Sequence, residues 1–153
     1  MNMHFRKEKN RLLKRQEGVV ALEFVILLPL FLLVVAGIVE FGHLFYVRHT
    51  LTNASREGAR AAVVYVSTDR INWATTAATT KVNEYLYPVV DGTAKPRLPG
   101  VTIPAPTVAV SGSTTGSTVT VTITASDVLL VLDKLVTLSN PVTVTAETTM
   151  RLE

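Results

Sequence analysis

The chain has 153 residues, of which 48% are hydrophobic and 18% are charged, and it contains no cysteine. The length suffices for one ordinary domain, or for a long helix followed by a small domain, and it excludes two large cores. The composition excludes a disordered chain, and the missing cysteine excludes disulfide scaffolds and thiol nucleophiles. The net charge of +3 is uneven, because residues 1–18 contain six Lys or Arg and two Glu, whereas the rest carries −1.

An apolar segment follows this basic amino terminus directly. It begins at Val19 and includes sixteen consecutive uncharged residues, 24–39. As a helix, residues 19–46 would extend about 42 Å, enough to cross a hydrocarbon core of about 30 Å. Basic residues stay on the cytoplasmic side of a membrane, so the sequence predicts a cytoplasmic amino terminus and an exported carboxyl-terminal part.

Two alternatives to this interpretation are a cleaved secretory signal and a plain uncleaved anchor. A secretory signal has a shorter apolar region that ends promptly at a small-x-small site, and the nearest such site, Ala59-Arg60-Ala61, lies well past the apolar segment. Against the plain anchor stands Glu23, because a carboxylate inside an apolar segment costs about 1–3 kcal/mol depending on its depth. A chain that began at Val19 would supply an ammonium as its partner, within one subunit or from a neighbour.

The basic segment, Gly18, four apolar residues and Glu23 resemble the class III signal of type IV pilin precursors, which a prepilin peptidase cuts after the glycine. Three further motifs narrow the resemblance to the TadE-like family of minor pilins, or pseudopilins, of tight-adherence (Tad or Flp, type IVc) pili. The resemblance covers about residues 15–65 and is carried by Gly18-Val19-Val20-Ala21-Leu22-Glu23-Phe24, Leu28-Pro29-Leu30, Gly37-Ile38-Val39-Glu40-Phe41-Gly42 and Asn53-Ala54-Ser55-Arg56-Glu57-Gly58-Ala59-Arg60-Ala61.

The resemblance implies a structural subunit with no catalytic residue and no cofactor. Residues 1–18 would be a leader cut between Gly18 and Val19, and Glu23 would pair with an amino terminus during assembly of a Tad-type pilus for surface adherence, or of the complex that primes it. The implied partners are the prepilin peptidase, the major pilin, a companion minor pilin and the inner-membrane assembly platform with its ATPase. The implied location is the bacterial inner membrane, and then the pilus, as part of a hetero-oligomer.

A protein of another class remains open, namely a single-pass membrane anchor whose exported domain binds a ligand and does not polymerise. An enzyme has little support, because no nucleophile-elbow, phosphate-loop or zinc-protease motif occurs. His43 and His49 have no third ligand, so they are interpreted as surface or interfacial residues and no metal is predicted. No aromatic residues interleave the basic ones, so no nucleic acid is expected.

The helical pattern continues beyond the membrane segment as a stalk over residues 47–66. Pro29 is expected to kink the helix, because proline removes a backbone hydrogen bond. Glu40, about 25 Å beyond Glu23 along a helix, is expected at the far membrane interface with a role in solvation only.

Small and apolar residues at alternating spacings of three and four form one stripe along this helix. Its small middle residues Ala54, Gly58 and Ala61 permit close backbone approach. Two interpretations remain open, packing on the chain's own sheet and packing on a neighbouring subunit. The stripe comprises Leu44, Val47, Leu51, Ala54, Gly58, Ala61 and Tyr65.

The remaining residues, 67–153, are predicted to form the exported domain, so the fold class is α+β and pilin-like. A helix capped at Ser67-Thr68-Asp69 is expected to end before Pro88. The predicted elements after it are a turn-rich connection over 88–106, a hairpin of 107–110 and 117–124 with one apolar face, a short apolar helix or buried loop over 128–136, and a third strand over 142–148.

Overall fold

The protein is described by a computed structural model that covers residues 2–64, 69–126, 128–130 and 142–152, with side chains from residue 19 onward. The chain divides into two compact units, Met1–Val39 and Glu40–Glu153. Residues 40–46, which the sequence assigns to the membrane segment, thus belong to the second unit.

Helix α1 runs over Asn2–Ala62, so its backbone is helical from the predicted leader into the predicted stalk. The helix ends before the predicted boundary at residue 66: the Val63 amide still bonds the Ala59 carbonyl at 3.2 Å, and a turn follows. Tyr65, the last member of the predicted stripe, lies outside the described residues.

Helix α2 (Arg70–Leu86) begins at the predicted cap and ends before Pro88. The Asp69 carboxylate accepts hydrogen bonds from the backbone and side-chain amides of Asn72, so it satisfies one of the free N–H groups at the helix start. Apolar residues recur every fourth position on the buried face of α2, namely Ala74, Ala78, Val82 and Leu86.

The predicted strands pair into a small antiparallel sheet, which confirms the α+β class. A two-stranded hairpin, β1 (Val89–Val90) and β2 (Thr93–Ala94), precedes it. The main sheet contains β3 (Thr107–Val110), β4 (Thr118–Ala125) and β5 (Val144–Arg151), with β4 in the centre. Alternation of valine or isoleucine with threonine in β4 gives the predicted apolar face, where Val119, Val121 and Ile123 are fully buried.

The small β1–β2 hairpin was not predicted, because the prolines around it suggested only turns. Asp91 and Gly92 form its two-residue turn with φ angles of 53° and 74°. Positive φ at both central positions matches the twist of a tight hairpin, for which Asp-Gly is a favoured pair. The signal was therefore present in the sequence.

Arg97 fastens the connection between β2 and β3 to both helices. Its guanidinium lies 4.5 Å from the centre of the Tyr85 ring and donates to the Tyr85 carbonyl, and its amide bonds the Leu86 carbonyl at 2.9 Å. The Tyr46 hydroxyl of α1 donates to the Arg97 carbonyl at 3.3 Å. The turn-rich connection is thereby ordered against the helices.

The core lies between α1, α2 and the inner face of the main sheet. Burial of each larger aliphatic side chain in it contributes about 1.5–3 kcal/mol. Beyond the α2 and β4 residues already named, its buried members are Val47, Leu51, Ala54, Ala59, Ala62, Leu98, Ala125, Val128, Ala146 and Leu152. Val128 is thus buried as predicted, and residues 131–136 lie outside the described part of the chain.

Candidate processing and assembly site

The predicted cleavage position lies within α1. Gly18 and Val19 have helical backbone, and the Val19 side chain is 62% exposed. Glu23 follows on the same helix, one turn beyond Val19, and is also exposed. The three residues therefore occupy about one and a half turns of helix.

The helix surface after Gly18 is apolar on all sides and exposed. The segment Val19–Ala62 contains an 18-residue window with a mean hydropathy of 2.9, none of it buried within the chain, which is long and apolar enough to cross a membrane. A helix that is apolar all round needs an apolar environment in place of water. Between residues 19 and 39, Glu23 carries the one charge.

Glu23 has no hydrogen bond or ion pair within the part of the chain that the structure describes. Its surroundings on the helix are exposed apolar side chains such as Val20, Leu22 and Phe24. An ionised carboxylate in an apolar medium is costly unless it is paired. The described part of the chain supplies no such partner, and the predicted one is a new amino terminus at Val19 or a neighbouring subunit.

Pro29 lies inside α1, and the backbone is α-helical on both sides of it. Proline has no N–H, so the Val25 carbonyl lacks its usual intrahelical donor.

The residues of the predicted stripe from Val47 to Gly58 are buried within the chain. A Cβ atom added to Gly58 would lie 2.6 Å from a Val82 methyl carbon, 3.2 Å from the Ala78 carbonyl oxygen and 3.5 Å from a Val121 methyl carbon. Gly58 thus lies where α1, α2 and β4 meet. At this position the stripe packs on the chain's own sheet, as the first of the two interpretations predicted, and also on α2. Ala54 is fully buried with it.

The buried face of α1 is broader than the predicted stripe. Ala61 is half-buried, whereas Ala59 and Ala62 on its two sides are fully buried. Helix α2 and strand β4 both pack on this part of α1, so a wider face of the helix is buried than packing against one element would require. Ser55 is also buried, and its hydroxyl lies 2.7 Å from the Thr148 hydroxyl of β5.

The expected role of Glu40 was wrong. Glu40 is 2% exposed, and its Oε1 accepts a 2.7 Å hydrogen bond from the backbone N–H of Leu130. The carboxylate therefore fastens the connection after β4 to α1 and does not serve solvation. Sequence spacing could not show this, because the partner is a backbone group on a distant segment.

His43 was predicted to be a surface or interfacial residue. Its side chain is half-buried, and its Nε2 atom is buried without a hydrogen-bond partner among the described residues. His49 is exposed, as expected. No group of three potential metal-ligating side chains occurs among the described residues.

A long apolar helix that can span a membrane, followed by a small α+β domain packed on its distal part, defines a pilin-like protein. The family model of the TadE-like proteins matches residues 18–60. This range covers the predicted cleavage position, Glu23, Pro29, Ala54 and Gly58, and it confirms the resemblance. The family consists of pilin-type structural proteins and not of enzymes. No curated protein and no solved structure is significantly similar to the chain.

Proposed function

We propose that the chain is a structural minor pilin, or pseudopilin, that is cut after Gly18 and assembled into a Tad-type pilus or into the complex that primes it. The observation that carries the proposal is the coincidence of two features. The family match begins at Gly18, and the helix surface that follows is exposed and apolar, with Glu23 as the one charge among residues 19–39.

Insertion follows from charge and length. The basic residues of the leader stay in the cytoplasm, and residues 19–39 enter the hydrocarbon core. The unit that begins at Glu40 has its own buried core, so it is the part that reaches the extracytoplasmic side.

Cleavage after Gly18 is favoured by the local chemistry of the helix. In the uncut chain the Gly18–Val19 bond lies inside α1, and a peptidase needs an opened and unhindered backbone. Glycine costs up to about 1 kcal/mol relative to alanine within a helix. The helix therefore opens more readily at the junction of the leader and the apolar segment.

The cut creates the group that Glu23 lacks. A new amino terminus at Val19 would carry an ammonium near neutral pH, and a neighbouring subunit could bring its own ammonium to the Glu23 carboxylate. At 4 Å and an effective dielectric near 20, such a pair attracts by about 4 kcal/mol before desolvation is subtracted. The pair would draw processed subunits together and would leave uncut ones out.

The partners follow from the family and from this chemistry. They are the prepilin peptidase, the major pilin, a companion minor pilin and the inner-membrane assembly platform with its ATPase. The chain itself supplies an apolar helix for the assembly and a folded domain for its outer surface, and it performs no catalysis.

The proposal is tested by replacing Glu23 in the host that assembles the pilus. Glu23→Ala should insert and be cut normally but should fail to co-purify with the partner pilins, while Glu23→Asp, with a shorter reach, should be intermediate. Glu57→Ala is the matched control, because Glu57 is an exposed carboxylate on the same helix outside the apolar segment.

The outcome separates the two classes of protein. The anchored binding module would give a different set of results. The chain would stay uncut, would insert equally well with Glu or Ala at position 23 and would never co-purify with pilins. An Ala variant that assembles like the unaltered chain would remove the pairing role of Glu23.

A further inference from the structure

The main sheet has a second face that the core does not use. Alternate residues of β3, β4 and β5 point away from the helices, and those of β5 are exposed. Seven of these ten residues are threonine, and the two charged ones both lie on β5. We call this surface the threonine face; it comprises Thr107, Ala109, Thr118, Thr120, Thr122, Thr124, Thr145, Glu147, Thr149 and Arg151.

The threonine face is pre-organised. The hydroxyl oxygens of Thr120 and Thr149 lie 2.8 Å apart across β4 and β5, and those of Thr124 and Thr145 lie 3.3 Å apart. Threonine is stiff at χ1 and loses little rotamer freedom when it is covered, in contrast to the lysine and glutamate side chains common on solvated surfaces. Covering this face therefore costs little side-chain entropy.

The register arranges the face in rows across the strands. Ala109, Thr120 and Thr149 form a middle row. The row on one side of it contains Thr122 paired with Glu147. The row on the other side contains Thr118 paired with Arg151.

The two charges are equidistant from the middle row and opposite in sign. If two copies meet face to face about a two-fold axis along this row, Glu147 of each copy faces Arg151 of the other, and threonine faces threonine between them. No like charges meet in this arrangement.

From this self-complementarity we infer that the threonine face docks a second copy of this chain. With strands about 4.8 Å apart and about 3.3 Å per residue, the face measures roughly 14 by 26 Å, or under about 400 Å² per copy. Stable interfaces bury about 1,200 Å² or more in total. The contact is therefore weak in solution and needs the high effective concentration of two copies anchored in one membrane, a step that rests on the proposed function.

The test uses the absence of cysteine from the chain. Thr149→Cys places a single thiol on the two-fold axis, and Thr80→Cys places one on the exposed side of α2 as a matched control. Full-length chains in native membranes are treated with a short bis-maleimide. The expected result is a homodimer at least about fivefold more abundant for Thr149→Cys than for Thr80→Cys.

Charge exchange then separates this geometry from chance proximity. In the Thr149→Cys background, Glu147→Arg alone or Arg151→Glu alone should lower the dimer yield about five- to tenfold, because each replaces two attractions with two repulsions. The double exchange should restore the yield, since both pairs are inverted.

Three results would overturn the inference. They are equal crosslinking at positions 149 and 80, crosslinking of position 149 to a different protein only, and failure of the double exchange to restore the dimer. Membrane fractionation of the same samples separates the two proposals. A chain that is membrane-bound and cut after Gly18 but gives no dimer contradicts this inference alone, whereas a chain that is neither membrane-bound nor crosslinked contradicts both.

Discussion

The Glu40 carboxylate and the backbone N–H of Leu130 are joined by a 2.7 Å hydrogen bond across ninety positions of the sequence. Glu40 is the first residue of the second compact unit and is 2% exposed. The residue that follows the uncharged part of the apolar segment is therefore also a point where the second compact unit is held together. Helix α1 consequently changes at this point from an exposed apolar segment, long enough to cross a membrane, to a core element.

Glu40→Ala should destabilise the second compact unit by about 1.5–3 kcal/mol, because the Leu130 amide loses a charged acceptor. Glu40→Gln keeps an acceptor oxygen and should cost about half as much. Thermal unfolding of the full-length chain in detergent measures both, and hydrogen exchange of the Leu130 amide should accelerate in the Ala variant. Glu57→Ala, at an exposed position of the same helix, should change stability by less than about 0.5 kcal/mol. Equal effects at positions 40 and 57 would contradict the fastening role.

Gly58→Ala should destabilise the domain by about 1–3 kcal/mol, although alanine is the better helix former, because the new methyl would lie 2.6 Å from a Val82 methyl carbon. Gly42→Ala is the matched control on the same helix. Its Cβ meets nothing within 4 Å, so it should stabilise the helix by up to about 1 kcal/mol.

A double substitution checks the cause of the Gly58 effect. If the Val82 methyl is what the new side chain strikes, Gly58→Ala with Val82→Ala should cost at least about 1 kcal/mol less than the sum of the two single changes. Strict additivity of the free energies of unfolding would show that Gly58 is needed for another reason.

Two truncated chains test where the second compact unit begins. A chain from Glu40 to the carboxyl terminus keeps the Leu130 contact and the fully buried Val47, and it should unfold cooperatively with a mixed helix and strand circular dichroism spectrum. A chain from Arg48 loses both and should be less stable by at least about 3 kcal/mol. Equal denaturation midpoints would place the boundary after residue 47.

Asp69→Ala should lower stability by about 1–2 kcal/mol through loss of the α2 cap. Asp69 also has a φ of 44°, a conformation that asparagine tolerates well. Asp69→Asn should therefore retain most of the stability, and chemical denaturation of the two variants side by side distinguishes them. An Ala variant as stable as the Asn variant would show that the cap contributes nothing.

Local patterns predicted most of the fold. Alternation of Val119, Val121 and Ile123 with threonine gave β4 its buried face, and the spacing of four between Ala74, Ala78 and Val82 gave α2 its buried face. Such patterns record burial directly, because helix and strand present side chains with fixed periods.

The rest depends on contacts that periodicity does not encode. The sequence predicted only an interfacial charge at Glu40, because its partner is a backbone amide on a distant connection and leaves no local pattern. Ala61 was predicted to be a packing residue of the stripe, but the joint packing of α2 and the sheet on α1 buries Ala59 and Ala62 more completely. At the predicted processing site, composition and family resemblance pointed to Gly18 and Glu23, and the described part of the chain holds no partner of Glu23 that would test their roles.

Gly18→Val should block processing without blocking insertion, because a β-branched side chain obstructs the backbone at the cut and leaves the apolar segment intact. The uncut chain should remain in the membrane and run heavier on a gel by the mass of residues 1–18. Gly37→Val is the control, since Gly37 has open space around it and lies far from the cut. Normal trimming of the Gly18 variant would show that the cut lies elsewhere.

The amino-terminal residue of the mature protein tests the central claim most directly. The full-length gene is expressed in the pilus-forming host, the membrane and pilus fractions are separated, and the amino terminus of the chain in each is determined by mass spectrometry of terminal peptides. The account predicts a chain that starts at Val19, with or without a modified amino group, in both fractions. A chain that keeps residues 1–18, or that begins at any other residue, would contradict it.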